Sequence, residues 1–279
     1  MIRCLKIILT KFWNLHSSLV SKNIAYKNKH VDQICLILGN GSSLKLFDTG
    51  LLDGYIKIGC SYSLVDKRLQ KSGLEYCIYS DTYLLYKFLK HSYSGRIVLN
   101  RISPILKDII SENPNTIFFT SITNFYAFLR SPKNLRYFYN FGVKNVGSVD
   151  LAANFSADKG ALDIMLGIAK YMGFSEIYIL GCDYLGSPKF EGHFYDSKIP
   201  KIGEDDLAYQ KRFKEICNGM NITLVVPEGV SSDAFKTMTI NKFLALKHQN
   251  QNYMSNTEIL SPDFLNRMNH AAKYGQIWM

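Results

Sequence analysis

The sequence predicts an α/β fold, doubly wound, with a mostly parallel sheet and a lid-like loop insertion. Three observations point to it. Short apolar runs alternate with amphipathic stretches along residues 31–235, the pattern of strands joined by helices. The first run, Ile34-Cys-Leu-Ile-Leu38, breaks into Gly39-Asn-Gly-Ser-Ser43, as a buried strand does on turning into a helix start. A later run, Glu176-Ile-Tyr-Ile-Leu180, breaks into Gly181-Cys-Asp-Tyr184 in the same way. At 279 residues and 47% hydrophobic, the chain can bury a large core as one such domain with short extensions.

Residues 1–30 read as a basic amphipathic N-terminal segment. Arg3, Lys6, Lys11, Lys22, Lys27 and Lys29 occur there without Asp or Glu, interleaved with Leu5, Ile7, Phe12, Trp13 and Leu19. Lys11 interrupts the apolar stretch, which is too short to span a bilayer. No small-residue cleavage site of a secretory signal follows it. Two readings stay open. The segment either lies on an anionic membrane surface or packs on the domain with its basic face in water. The formal charge of +10 would also suit nucleic acid. No reader motif accompanies it and the aromatics sit in apolar runs, so no nucleic acid partner is expected.

Within 31–235, Tyr55–Cys60 and Glu75–Ser80 follow as the second and third strands, then Arg96–Leu99 and Thr116–Thr120. Residues 64–71, 82–91 and 103–112 fit connecting helices, and 121–155 reads as an irregular excursion. Ala161, Leu162, Met165, Leu166, Ile168, Ala169 and Met172 recur at helical spacing, and Gly173 ends that helix. Residues 185–203 contain Gly186, Pro188, Gly192, Pro200 and Gly203 and form the expected lid. A helix over 204–218 and a last strand at Ile222–Val226 complete the domain, and residues 236–279 read as a polar tail, helical in pieces. The six cysteines, Cys4, Cys35, Cys60, Cys77, Cys182 and Cys217, show no C-x-x-C or zinc spacing. Four of them lie in apolar runs, as free core thiols in a reducing cytoplasm would.

In an open parallel sheet, ligands collect at the carboxyl ends of the strands. That rule gathers Asn40, Gly41, Ser42, Ser43, Ser61, Ser80, Asp81, Asp183 and Tyr184 as substrate-binding candidates. Gly39 and Gly41 would let the backbone approach a ligand closely. Ser42 or Ser43 would cap the next helix, whose start suits a phosphate. The later glycine of G-x-G-x-x-G and the Gly-Lys-Ser/Thr of a Walker loop are both missing, so the loop points to a nucleotide without naming it. Asp81 and Asp183 could instead cap local turns. There is no D-x-D sequence, and Glu204-Asp-Asp206 opens a predicted helix. No metal site is assigned.

Leu38-Gly-Asn-Gly-Ser-Ser-Leu44, with Tyr171-Met-Gly-Phe-Ser-Glu-Ile-Tyr-Ile-Leu-Gly-Cys-Asp-Tyr184, resembles the bacterial lipooligosaccharide sialyltransferases. It is also similar to the related MptE-like group of polysaccharide gene clusters. The resemblance spans roughly residues 31–235. It implies a Rossmann-like fold and a glycosyltransferase of surface polysaccharide or lipooligosaccharide biosynthesis. The donor would be a nucleotide-activated sugar, such as a CMP-linked acidic one, and the acceptor a glycan or lipid-linked sugar. The lid histidine, His193, would be the general base, and Tyr195 or Tyr184 would receive the departing phosphate. The location implied is cytoplasmic, with residues 1–30 holding the protein at the inner face of the membrane.

Ser61 and Ser80-Asp81 stand where such sialyltransferases carry asparagines, and Leu185 follows Tyr184. Asp158-Lys-Gly-Ala161 replaces their Ser/Thr-Gly helix start. Asp81 fits the MptE-like pattern better. It implies the alternative of a diphosphotransferase with Mg²⁺ held by Asp81 and Asp183. A non-catalytic binding protein of the same fold is the third reading. The transferase reading needs no cofactor.

Overall fold

Eight strands pair side by side, all parallel, in a single sheet. The computed structural model describes residues 16–47, 52–90, 97–139, 149–153, 155, 160–196, 201–203, 217, 219–246 and 255–272. In chain order the sheet strands are β1 (Ile34–Leu38), β2 (Ile56–Cys60), β3 (Tyr76–Tyr79), β6 (Ile117–Ser121), β7 (Leu135–Phe138), β8 (Glu176–Leu180), β11 (Asn221–Val226) and β12 (Lys236–Thr239). Two short antiparallel ribbons stand apart: β4 (Phe88–Lys90) with β5 (Ile97–Leu99), and β9 (Lys189–Glu191) with β10 (Lys201–Gly203). Residues 16–21 are helical, and the further described α-helices are α1 (Lys67–Ser72), α2 (Ile102–Glu112), α3 (Ala161–Tyr171), α4 (Ile240–Ala245), α5 (Asn256–Ile259) and α6 (Pro262–Ala272).

The spatial order is β12-β11-β8-β1-β2-β3-β6-β7. The chain therefore winds outward from β1 through β7, then returns to β1's other side and winds out through β8, β11 and β12. This is the doubly wound arrangement, with its switch point between β1 and β8. Burial on both faces explains the uninterrupted apolar runs. Leu36 and Leu38 of β1 join a core with α2, α4 and α6, while Cys35 and Ile37 join the core built around α3. Gly173, at φ +87°, ends the helical stretch as expected.

Several expected elements differ. Of the helix expected at 82–91, the described residues, 82–90, are turns and bends followed by β4. Backbone groups a helix would need are taken from elsewhere: Asn124 Oδ1 accepts from Leu85 N at 2.9 Å, Ser103 Oγ donates to Leu85 O at 2.7 Å, and Tyr83 sits at φ +59°. β5 belongs to a ribbon rather than the sheet. The helix at 64–71 is split into a 3-10 turn (Ser63–Val65) and α1, because the Asp66 carboxylate caps a new start at Arg68 N. The excursion at 121–155 contains the edge strand β7, and β12 follows the strand expected to be last. The helix at 204–218 lies almost wholly outside the described residues, as do residues 1–15 and 197–200 of the lid. The described part of the N-terminal segment packs on the domain, with Asn23 Nδ2 donating to Tyr137 O (2.7 Å) and Leu151 O (3.0 Å). Cys35, Cys60, Cys77 and Cys182 are buried free thiols and Cys217 is a half-buried one; Cys4 lies outside the described residues.

Candidate active site

The loops leaving β1 and β8 meet at the switch point. The strand ladder extends beyond the sheet, with Gly39 N donating to Leu180 O (2.8 Å) and Gly41 N to Gly181 O (2.7 Å). A Cβ at Gly39 would lie 2.2 Å from Gly181 O, and one at Gly41 would lie 2.5 Å from Asp183 Oδ2. Glycine is thus demanded here by the contact of one loop with the other.

Asp183 joins those two loops. Its carboxylate accepts from Ser43 N (2.8 Å), Ser43 Oγ (2.5 Å) and Ser42 Oγ (3.2 Å). The turn after β1 is a 3-10 helix, Ser42–Leu46, that no serine caps; the capping carboxylate reaches it from the β8 loop. Ser42 and Ser43 are consequently buried. Burial raises the Asp183 carboxyl, against the opposing effect of the serine hydrogen bonds and the His193 charge.

A cavity of about 560 Å³ opens between these loops. Asn40, Gly41, Ser61, Asp183, Tyr184 and His193 all line it, with the start of α3 and the β9 end of the lid closing its sides. Asn40 is lightly held: Ser63 Oγ lies 3.5 Å from its Oδ1, and Cys60 Sγ lies 3.7 Å from its Nδ2. Ser61 sits at φ +47°, a left-handed conformation unusual for serine, with its N–H donating to Ile78 O at 2.9 Å. Ser80 and Asp81 stand further along the rim and Tyr195 stands behind His193; none of these three is in the cavity wall. Asp81 is exposed, and partial desolvation raises its carboxyl. Among the described residues, no group of three or more His, Cys, Asp or Glu could hold a metal ion.

The lid base is fixed to the glycine loop. Gly41 and His193 form an antiparallel bridge, and Phe194 N donates to Asn40 O at 2.9 Å. His193 Nδ1 lies 3.2 Å from Asp196 Oδ2, which also accepts from His193 N at 2.7 Å. Desolvation works to raise the Asp196 carboxyl, but the His193 hydrogen bonds and the nearby Lys45 charge prevail and lower it. Tyr195 stacks on the imidazole at 4.9 Å between ring centres, and Tyr62 meets Tyr195 edge-on at 5.3 Å. Burial pushes both phenols well up. Lys45, only 3% exposed, donates to Asp196 O at 2.8 Å, and burial lowers its amine.

Sequence reasoning did not single out Asp196 or Lys45. The signals were a carboxylate three residues after the lid histidine, and a lysine inside the apolar turn Leu44-Lys-Leu-Phe47.

No family model matches this chain, and no curated protein matches it. Among solved structures, the MAf glycosyltransferase from Magnetospirillum magneticum AMB-1 is similar at 13% identity and TM-score 0.47 over 92% of this chain. The chain spans 42% of that protein's length. The sialyltransferase CstII from Campylobacter jejuni with CMP-3FNeuAc is similar at 15% identity and TM-score 0.42, covering 88% of this chain and 100% of that one. The same enzyme with a trisaccharide acceptor and CMP is similar at 16% identity and TM-score 0.41, with the same coverage. Likenesses at this level carry no weight for function. No helix among the described residues is long and apolar enough to cross a membrane.

Proposed function

We propose that this chain is a glycosyltransferase that moves a sugar from a nucleotide-activated donor, a CMP-linked acidic sugar, to a hydroxyl of a glycan or lipid-linked acceptor. The setting would be surface polysaccharide or lipooligosaccharide assembly. One observation carries the reading: a histidine, clamped to the Gly39–Gly41 loop and oriented by a carboxylate, lines the switch-point cavity. The resemblance of residues 38–44 and 171–184 to sialyltransferase motifs supports it.

In this reading Asn40 and Gly41 hold the donor phosphate, and Ser61 contacts the nucleoside. Asp183, with Ser42 and Ser43, holds the two loops at the spacing the donor needs. Asp196 faces His193 Nδ1, so Nε2 is the nitrogen that takes the acceptor proton. The acceptor oxygen then bonds to the anomeric carbon as the bond from that carbon to the phosphate oxygen breaks. The nucleotide departs with the electron pair, and Tyr184 stabilises it. Tyr195 supports the imidazole from behind.

Thermal stabilisation of the purified protein by CMP, CDP, UDP, GDP and ATP, each with and without Mg²⁺, tests the donor. A ligand at about 100 times its dissociation constant stabilises by roughly 2.7 kcal/mol. A shift with CMP that needs no metal is expected. A shift confined to ATP with Mg²⁺ would replace this reading with the diphosphotransferase, and no shift with any nucleotide would favour a non-catalytic protein.

A further inference from the structure

A second and larger cavity, about 800 Å³, lies away from the switch point between α2 and α6, beside the β4–β5 ribbon. Its rim carries Lys87, Arg101, Lys107, Arg267 and His270 against a single carboxylate, Asp108. Arg267 spans the cavity to Asp108 (2.5 Å), and Arg101 meets His270 at 3.0 Å, so the rim is organised across two helices. Leu99, Pro104 and Ile105 supply apolar wall.

The adjoining ribbon has an unusual face. Phe88 pairs with Leu99 and Lys90 with Ile97, so Phe88, Leu99 and Ile97 project from the same side. All three are exposed, at 55%, 41% and 78%. Leu99 makes this apolar face continuous with the cavity. Clustered apolar residues left in water beside a cationic hollow mark an interaction site.

We propose that this cavity takes the phosphate headgroup of an anionic membrane lipid, with the ribbon face of Phe88, Ile97 and Leu99 entering the acyl layer. Charge and shape both select this occupant. Lys87 and Arg101, with Arg267 beside its Asp108 partner, give the cavity an excess of positive charge that attracts a phosphate. Inorganic phosphate would leave the apolar wall and ribbon uncovered, whereas a lipid satisfies both. The site is independent of the reading given for the switch-point cavity.

Co-sedimentation of the full chain with vesicles tests it, using phosphatidylcholine alone or mixed with phosphatidylglycerol. Two paired variants serve as probes, Lys87→Gln with Arg101→Gln, and Ile97→Ser with Leu99→Ser. The native chain is expected to bind phosphatidylglycerol vesicles, and each pair to weaken that binding by about tenfold. Native-level binding by both pairs would overturn the site and assign attachment to the basic N-terminal segment. Thermal stabilisation by inorganic phosphate forms the other arm. If Lys87→Gln with Arg101→Gln abolishes that stabilisation while neither pair changes vesicle binding, the ligand is a soluble phosphate and the lipid proposal fails. Should a paired variant not fold, Lys87→Gln and Ile97→Ser alone, both at exposed positions, repeat the comparison.

Discussion

The two cavities are built in opposite ways. At the switch point, polar groups bind one another: Asp183 is engaged by Ser42 and Ser43, His193 by Asp196, and Asp196 by Lys45. Between α2 and α6 the walls are apolar and the charges stand on the rim, nearly all of one sign. The first arrangement fixes geometry, as positioned acid–base chemistry requires. The second leaves apolar surface exposed beside an excess of positive charge. A rigid, self-satisfied site suits a reaction; an exposed apolar face beside positive charge suits attachment.

That contrast is broken most directly at His193. His193→Ala is expected to lower transfer by roughly 10²–10⁴-fold while thermal stabilisation by CMP survives. Full activity in that variant would remove the histidine from the mechanism and reduce the switch-point cavity to a binding site. Loss of the CMP shift as well would mean that the lid base, rather than the imidazole, had been disturbed.

Asp183 tests whether the rigidity is real. Asp183→Ala leaves the Ser42 and Ser43 donors without their acceptor and should cost about 2 kcal/mol in urea unfolding. Asp183→Asn keeps an acceptor for Ser43 N and should cost less. If both variants are as stable as the native chain, the two loops do not depend on this carboxylate. The pH dependence has a definite sign. Asp183 is raised in the folded protein, so its titration favours folding at low pH, and that contribution fades as pH rises through the folded value.

What the sequence made legible follows the same division. β1, β8 and α3 could be read because glycines bound their apolar runs, and the switch-point rule then brought residues 40 and 183 together. The capping of Ser43 by Asp183 could not be read, since it joins residues 140 positions apart. The second cavity was invisible for the same reason: Arg267 and Asp108 are separated by 159 positions. Residues 82–91 misled because apolar spacing suited a helix, while Asn124 and Ser103 claimed the Leu85 backbone. Local pattern reports burial; it does not report which distant side chain takes a backbone group.

A smaller effect is expected at Asp196. Asp196→Asn should lower kcat by less than His193→Ala does, with KM little changed, because an amide can orient the ring but does not stabilise the imidazolium formed as the proton arrives. The Asp196 carboxyl is lowered in the folded chain. Its contribution to stability is therefore present above the ordinary carboxylate range and is lost as pH falls through the folded value. Melting curves of the variant between neutral and acidic pH should accordingly be flatter than those of the native chain. Identical pH dependence in the two proteins would show that the pair contributes nothing to folding.

The smallest change should come from Tyr195→Phe. The ring stacks on His193 at 4.9 Å with the two planes 7° apart, yet Tyr195 does not line the cavity. Phenylalanine retains the stack, so activity should fall less than about threefold, whereas Tyr195→Ala removes the support and should lower kcat further. A loss in Tyr195→Phe as large as that in His193→Ala would reverse the assignment. It would place the Tyr195 hydroxyl on the departing phosphate, and the lid would then have to swing that ring into the cavity during the reaction. The two tyrosine variants together therefore decide whether the aromatic packing behind His193 is support or machinery.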